Sequence, residues 1–330
     1  MTEEILSVII FHGRFLTLKA IASVALFAGL LIFIYSFEAY LIFHLVQSRR
    51  KGQKISPLFK SKWAFIVHLL AIAGIICLLY GYFIEPYWIE VKRIEISTSK
   101  LHQSTIRLVQ ISDTHCTNNQ RNKRKIIETI DSINPDVILF TGDSANSSKG
   151  LKQFKETMAE LHAGLGKYGI KGNIEKEKWK GVDIFDGTGF IELDANSVEI
   201  KKDGDSFWIT GITCEKERET NNVLKKIPAE NYSIFLHHFP DLVEDLNSPV
   251  DLYLAGHTHG GQIALPFYGA IITLSKFGKK YEAGQYRVGN IILYVNRGIG
   301  LAAGFNPKVR FFARPEITVI DIHPEKIKSK

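Results

Sequence analysis

Apolar positions divide the chain into two parts. Two long, nearly unbroken apolar runs come first: Thr17 to Val46, interrupted by Lys19, Glu38 and His44, and Trp63 to Ile84, disturbed only by His68. A helix needs about 20 apolar residues to cross a bilayer core. The second run qualifies outright, and the first is long enough despite its polar interruptions. Neither is followed by the small-residue cleavage site that ends a signal peptide. The expectation is an N-terminal transmembrane helical hairpin; the alternative, a hairpin buried in a soluble core, is disfavoured by the length of the runs.

From about Arg107 the pattern changes to short apolar runs alternating with helical stretches. Strands are predicted at Ile106–Ile111, Asp136–Thr141, Gly169–Lys171, Ser197–Ile200, Ser206–Ile212, Ser233–Leu236 and Leu252–Ala255. Helices are predicted at Arg121–Ser132, closed by Asn134-Pro135, and at Leu151–Leu165. The part from Gly261 to Ile322 reads as further strands broken by Gly and Pro. Alternation first and strands later predict an α/β domain, two sheets packed face to face with helices outside. The chain is thus divided into an anchoring region, 1–99, and a domain, 100–330, a size that suits one domain and an appendage.

Charge sharpens this division. Residues 1–99 carry 10 Lys/Arg against 6 Asp/Glu, and the remainder 31 against 28. The basic excess per residue lies beside the apolar runs, where anionic headgroups attract it. No dense basic stripe of the nucleic-acid-binding kind is present, so membrane is an expected partner and nucleic acid is not; nothing points to an obligate protein partner. The loop Gln47–Lys62 holds six Lys/Arg and no acid, but the opposite flanks carry Arg14, Lys19, Lys92, Arg93 and Lys100, so the positive-inside rule leaves the topology balanced. Three cysteines without framework spacing, Cys77, Cys116 and Cys214, favour a reducing compartment for the domain.

Five predicted strands end in groups that ligate metals. They read Asp113-Thr114-His115, Gly142-Asp143, Gly172-Asn173-Ile174-Glu175, His237-His238-Phe239-Pro240-Asp241 and Gly256-His257-Thr258-His259-Gly260-Gly261. Each of the first two alone is more often a solvated turn than a ligand. The glycine-flanked histidine pair at i, i+2 is the most specific signal. Oxygen and imidazole donors without thiolates suit Mn²⁺, Mg²⁺, Fe or Zn²⁺. There are too many for one ion, but two ions bridged by a carboxylate use them all.

In their order these motifs resemble the calcineurin-like metallophosphoesterases, over about Leu108 to Ile320. A late Asn296-Arg297-Gly298-Ile299-Gly300 and the Gly-His-Thr-His-Gly-Gly-Gln run at 256–262 are similar to the family's membrane-anchored bacterial branch. The resemblance implies a four-layer αββα sandwich of two mixed sheets, with a dinuclear site at the strand ends. It assigns Asp113, His115 and His259 to one metal, Asn173, His238 and His257 to the other, and Asp143 to the bridge, with Mn²⁺ foremost among the ions. Asp143 and His257 are the candidates for a direct part in catalysis. His237 is expected to orient a ligand or the substrate, and Arg297 and Arg310 either hold phosphate charge or lie on the surface.

One position departs from the family. Most relatives have a histidine after the motif asparagine, which protonates the leaving oxygen; here it is Ile174. An alkoxide gains roughly 10²–10⁴-fold from a general acid, whereas a phosphate monoester, with a second pKa near about 6, departs unaided at neutral pH. The departure favours a phosphoanhydride. The expected substrate is a lipid-linked pyrophosphate, UDP-2,3-diacylglucosamine, cleaved to UMP and 2,3-diacylglucosamine 1-phosphate in lipid A biosynthesis. The expected location is the bacterial inner membrane, with the domain on the cytoplasmic face. A phosphodiesterase or phosphatase acting on another lipid or envelope compound is the alternative enzyme. A non-catalytic metal-binding membrane scaffold is the alternative outside enzymology.

Overall fold

The computed structural model describes residues 8–11, 14–54, 56–117, 122–302 and 308–325. A short antiparallel ladder of β1 (Val8–Phe11) and β2 (Arg14–Thr17) precedes two long helices, α1 (Leu18–Arg50) and α2 (Lys62–Phe83). Ser61 caps α2, its hydroxyl accepting from Ala64 N at 3.1 Å, and Arg49 and Arg50 in the last turn of α1 suit its negative end. Both helices are long and apolar enough to cross a membrane. Two of the polar interruptions in the runs answer each other: His68 Nδ1 lies 2.6 Å from Glu38 Oε2, so the helices meet through their own polar groups.

The remaining elements follow as β3 (Glu90–Thr98), β4 (Ile106–Ile111), α3 (Lys123–Ile133), β5 (Val137–Phe140), α4 (Ser148–Ala159), β6 (Lys167–Gly169), α5 (Asn173–Lys178), β7 (Phe190–Glu192), β8 (Asn196–Lys202), β9 (Asp205–Gly211), α6 (Thr220–Leu224), β10 (Tyr232–Leu236), β11 (Leu252–Ala255), β12 (Ala264–Leu265), β13 (Gly269–Ala270), β14 (Gly284–Val288), β15 (Ile291–Val295) and β16 (Glu316–Pro324). They form two six-stranded mixed sheets, ordered β3-β16-β4-β5-β6-β7 and β14-β15-β11-β10-β9-β8.

Alternation along the strands decides what each face packs against. Leu108, Leu139, Phe207, Ile234, Leu252 and Ile320 meet between the sheets. Val109, Ile138 and Phe140 face outward onto Ile126 and Ile130 of α3 and Phe154 and Met158 of α4. The outer face of the second sheet packs Phe235, Tyr253 and Leu293 against Val223 and Leu224 of α6 and Val243. The sandwich of two mixed sheets between helical layers is thus as expected, with a thinner layer over the second sheet. Each fully buried large aliphatic or aromatic side chain contributes about 1.5–3 kcal/mol.

Three expectations about the elements change. The strand Glu90–Thr98 falls within the span 1–99 assigned to the anchor, yet it is an edge of the first sheet, parallel to β16 from Glu316↔Glu90 to Pro324↔Thr98. The sheet therefore begins at Glu90, and the division at 99/100 cuts a strand from its partner. The helix predicted at Leu151–Leu165 starts earlier, at Ser148 behind the Ser147 cap, and ends at Ala159, because Leu165 N is drawn to Asp136 O at 2.7 Å. This moves β6 two residues ahead of its predicted place, in register with Ile138 at Lys167.

Candidate metal centre

Parallel strands β4, β5, β6, β10 and β11 all deliver their C-terminal ends to one edge of the sandwich, where open α/β sheets place ligands. The loops that follow are bonded to one another. Asp113 N donates to Gly142 O, His115 N to Asp143 O, and Gly256 N to His238 O, at 2.9, 3.1 and 3.0 Å. A further loop, 296–300, lies across the first: Ile299 N and Gly300 N donate to Ser112 O and Asp113 O. Its glycines are needed for that approach, since a Cβ at Gly298 would stand 2.5 Å from Asp113 Cβ and one at Gly300 2.1 Å from Thr114 O.

The side chains so gathered are nearly water-free. Asp113, His115, Asp143, His238, His257 and His259 are all buried. Five of them hold left-handed backbone: Asp113, His115, Asp143, His257 and His259 have φ of 48°, 38°, 61°, 72° and 53°. Such conformations cost about 1–3 kcal/mol each and persist where the surroundings over-determine them. His259 Nε2 stands 3.2 Å from Asp113 Oδ1 and 3.1 Å from His115 Nε2. Asp143 Oδ2 lies 3.4 Å from His115 Nε2 and 3.4 Å from His238 Nε2, between the two halves of the cluster.

Outer hydrogen bonds decide which imidazole nitrogen keeps its lone pair. His115 Nδ1 donates to Asn146 Oδ1 at 2.9 Å and His238 Nδ1 to Thr141 O at 2.7 Å, leaving both Nε2 atoms aimed at Asp143. His257 Nε2 donates to Leu274 O at 3.2 Å, so its free nitrogen is Nδ1. Glu175 pins the loops from behind: its carboxylate accepts from Asp143 N (3.0 Å), Gly172 N (2.7 Å), Ser144 N (2.8 Å) and Ser144 Oγ (2.6 Å). In front is an open cleft lined by His115, Asp143, Asn173, His257, His259 and Gln262 among others.

The calcineurin-like phosphoesterase family model matches residues 106–261, the span that holds Asp113, His115, Asp143, Asn173, His238, His257 and His259. YkuE, a metallophosphoesterase of Bacillus subtilis (strain 168), is 32% identical over 260 residues, 74% of this chain and 89% of its own. The chain belongs to the calcineurin-like phosphoesterase family. This phosphoesterase is also similar to the UDP-2,3-diacylglucosamine pyrophosphatase LpxG of Chlamydia trachomatis serovar D, 24% identical over 312 residues, 75% of this chain and 93% of that one. It is 25% identical over 264 residues to the phosphodiesterase YaeI of Escherichia coli (strain K12), covering 74% and 92%.

The family's fold implies divalent metal ions, and the donor set of this phosphoesterase fits them. Two groups of ligand atoms, from Asp113, His115 and His259 and from Asp113, Asp143 and His238, each lie within 4.8 Å of one another. Ligands about 2.1 Å from one ion and a right angle apart stand about 3.0 Å from each other, close to the separations at His259. Asn173 Oδ1 is buried without a hydrogen-bond partner, an unfavourable state that a cation resolves. Gly172 leaves the space for it, since a Cβ there would sit 2.4 Å from Asp143 Oδ1.

The charges of the cluster shift one another's ionisation. Burial alone would lower the His238 pKa, but the Asp143 carboxylate overrides it and raises it to about 10. Burial opposes ionisation of Asp143, yet His238 and His115 hold its carboxyl down at about 2. Asp113 is likewise kept well below the carboxylate range by His259, His238 and His115, against the effect of burial. His257, buried beside His238, is pushed down to about 3. Burial and the nearby Asp143 charge raise Glu175.

All seven residues expected as ligands converge here, and three other expectations are corrected. His237 neither lines the cleft nor faces Asp143: its ring is fully buried, Nδ1 donates to Ile212 O at 2.9 Å and Nε2 is 3.2 Å from Glu217 Oε1. Neighbouring residues leaving an extended strand point to opposite sides, so only one of the two histidines can turn inward, and it is His238. Arg297 gives its guanidinium to Glu316 and Glu90 at 2.5 Å each. Arg310 is completely buried and donates to the carbonyls of Gly298, Gly300 and Ala313. Burial, with Arg297 nearby, lowers its pKa to about 9. Neither arginine is a surface residue: Arg297 is engaged by Glu316 and Glu90, and Arg310 by backbone carbonyls and, at 3.4 Å from behind, by His259 Nδ1. The signal for Glu175 in the sequence is its spacing three residues after Gly172, where a helix begins, the glutamate half of a capping box.

Proposed function

We propose that this phosphoesterase is a dinuclear metal-dependent hydrolase, held in the bacterial inner membrane by α1 and α2, that cleaves a lipid-linked pyrophosphate. UDP-2,3-diacylglucosamine is the foremost candidate, yielding UMP and 2,3-diacylglucosamine 1-phosphate. Asp113, His115 and His259 would hold one ion, Asn173, His238 and His257 the other, with Asp143 shared; Mn²⁺ is the first ion to try. When bound, such a pair supplies Lewis acidity to phosphoryl oxygens and lowers the pKa of water toward neutrality.

The observation that carries the anhydride reading is the absence of a spare acid among the described residues. The titratable groups lining the cleft, His115, Asp143, His257 and His259, all belong to the ligand set. Ile174, where a proton donor would stand, is an apolar side chain buried to 1% exposure, and its backbone N–H holds Asp143 Oδ1 at 2.9 Å. A leaving group that departs as a phosphate needs no proton. Likeness to LpxG supports the substrate, and Cys77, Cys116 and Cys214, which form no disulfide, agree with a domain on the cytoplasmic face. Likeness to the phosphodiesterase YaeI supports a second reading, in which the bond cleaved is a phosphodiester; on the anchor reading, that diester would belong to another lipid or envelope compound.

The test is turnover of UDP-diacylglucosamine and of an aryl phosphodiester by the purified full chain with Mn²⁺. The proposal expects metal-dependent release of UMP, lost in Asp143→Ala. Turnover of the diester alone would shift the assignment to the second reading, and no turnover of any phosphate compound would leave the scaffold.

A further inference from the structure

The cleft is built against the ends of the two long helices. α1 and α2 run antiparallel, with Tyr35 bonded to Ala71 O and Glu38 to His68. Phe83 lies about 22 Å beyond His68 at 1.5 Å per residue, which brings the end of α2 level with Ser23 on α1. Two strips of the domain meet the helices at this level. Tyr268 Oη, at the tip of the β12–β13 hairpin, is 2.8 Å from Ser23 Oγ. Arg310 N donates to Gly81 O at 2.9 Å, and the Phe311 ring meets Tyr80 edge-on at 6.2 Å.

Around these contacts the surface is aromatic and uncovered. Phe267 is fully exposed, Phe312 is 58% exposed and Trp88, just past α2, is 50% exposed. Phe267 and Phe312 both hold left-handed backbone, with φ of 64° and 53°. Cations accompany the rings: Lys279 Nζ lies 3.6 Å from the Tyr268 ring centroid, and the Arg314 guanidinium 4.2 Å from that of Trp88. Aromatic rings with Lys and Arg at the ends of apolar helices are the composition of a membrane–water interface. The same strips also make a wall of the cleft. Ala264 N donates to Phe311 O, Phe311 N to Gln262 O, and Ala302 N to Gln262 Oε1, while Gln262 and Ala302 line the cleft.

We propose that Phe267, Tyr268, Phe312 and Trp88 form a platform that inserts into the bilayer surface and seats the mouth of the cleft in the headgroup layer. The substrate is then a phosphoester or phosphoanhydride of a lipid whose acyl chains stay in the membrane during turnover. This rests on the reading of α1 and α2 as membrane-spanning. The bilayer is the occupant because the platform is continuous with the helix ends and at their level.

The test uses the full chain in phosphatidylethanolamine–phosphatidylglycerol vesicles, with an environment-sensitive fluorophore on Phe267→Cys in a Cys77→Ala background. The signal of Cys77→Ala alone is subtracted. Ile191→Cys, exposed on β7 at the sheet edge opposite β3, is the comparison site. The label at 267 is quenched by lipids bearing a nitroxide near the headgroup and shielded from aqueous iodide, and the label at 191 behaves in reverse. Equal iodide quenching at both sites overturns the platform, whatever the substrate.

A second arm follows turnover by the Phe267→Ser/Phe312→Ser double variant. Removing two such rings from apolar surroundings lowers kcat/KM on a vesicle-borne lipid pyrophosphate by about tenfold or more, and leaves a soluble aryl phosphodiester unchanged. Equal losses on both substrates overturn the proposal, since the rings would then only support the fold. Wild-type turnover of the soluble ester with none of any vesicle-borne phospholipid overturns the substrate class here and in the preceding section. Quenching at position 267 judges the platform independently.

Discussion

Glu175→Gln keeps the volume of the side chain and removes its charge at the point where three backbone donors converge. Both carboxylate oxygens act only as acceptors, Oε2 from Asp143 N and Gly172 N, Oε1 from Ser144 N and Ser144 Oγ. A carboxamide has one accepting oxygen, so its NH₂ must face one of these pairs. The less costly placement turns NH₂ toward Ser144, whose hydroxyl can rotate to accept; Ser144 N is then orphaned. One buried unsatisfied donor costs about 1–3 kcal/mol, and replacing charge-assisted bonds by neutral ones roughly halves the strength of the others. Relief works the other way, because burial and the Asp143 charge already raise the Glu175 pKa. A net loss of about 2 kcal/mol follows, or about 4–8 °C in Tm for a domain of this size. Loosening the loop that carries Asp143 should also weaken metal binding by about 10–100-fold, the usual effect of losing an outer partner. Thermal unfolding with chelator and calorimetric titration with Mn²⁺ measure the two effects separately. A variant with unchanged Mn²⁺ affinity would refute the idea that Glu175 positions Asp143, even if its Tm fell.

Three further outcomes follow. In chelator, the His238–Asp143 pair stabilises the fold fully below the ordinary histidine value of 6.5 and is lost as pH rises toward about 10; Mn²⁺ binding displaces that proton, so affinity rises over the same interval. A metal-free Tm that stayed level between these limits would contradict the coupling. Ile174→His should raise the rate on an alkyl phosphodiester while changing pyrophosphate cleavage little, and a wild-type preference for alkyl diesters would count against the anhydride reading. Glu85→Ala removes the buried carboxylate that accepts Phe312 N (2.9 Å) and Ala313 N (2.6 Å); at about 1–3 kcal/mol for a buried donor left unpaired, the Tm of the full chain should drop, and an unchanged Tm would show that the joint between α2 and the domain carries no stability.

What the sequence determined by itself was local. Ile106–Ile111 and Leu252–Ala255 are strands with the predicted bounds, because a short apolar run closed by a polar or glycine turn carries its own boundary signal. The five strand-end motifs were likewise legible, since each set of candidate donors is written within a few residues, and the seven residues do converge. Whatever depends on two distant stretches meeting was left to the tertiary structure. The strand Glu90–Thr98 alternates only from Ile94 onward, and its place in the sheet comes from pairing with the last strand of the domain. Arg310 reads as any lone arginine until the loop from Arg297 to Gly300 closes over it with its carbonyls. Glu38 and His68 look like defects in two apolar runs until the helices pack and pair them. A charge or a donor announces its type in the sequence, but its partner, and hence its role, is decided by which backbone and side-chain groups folding brings within hydrogen-bond reach.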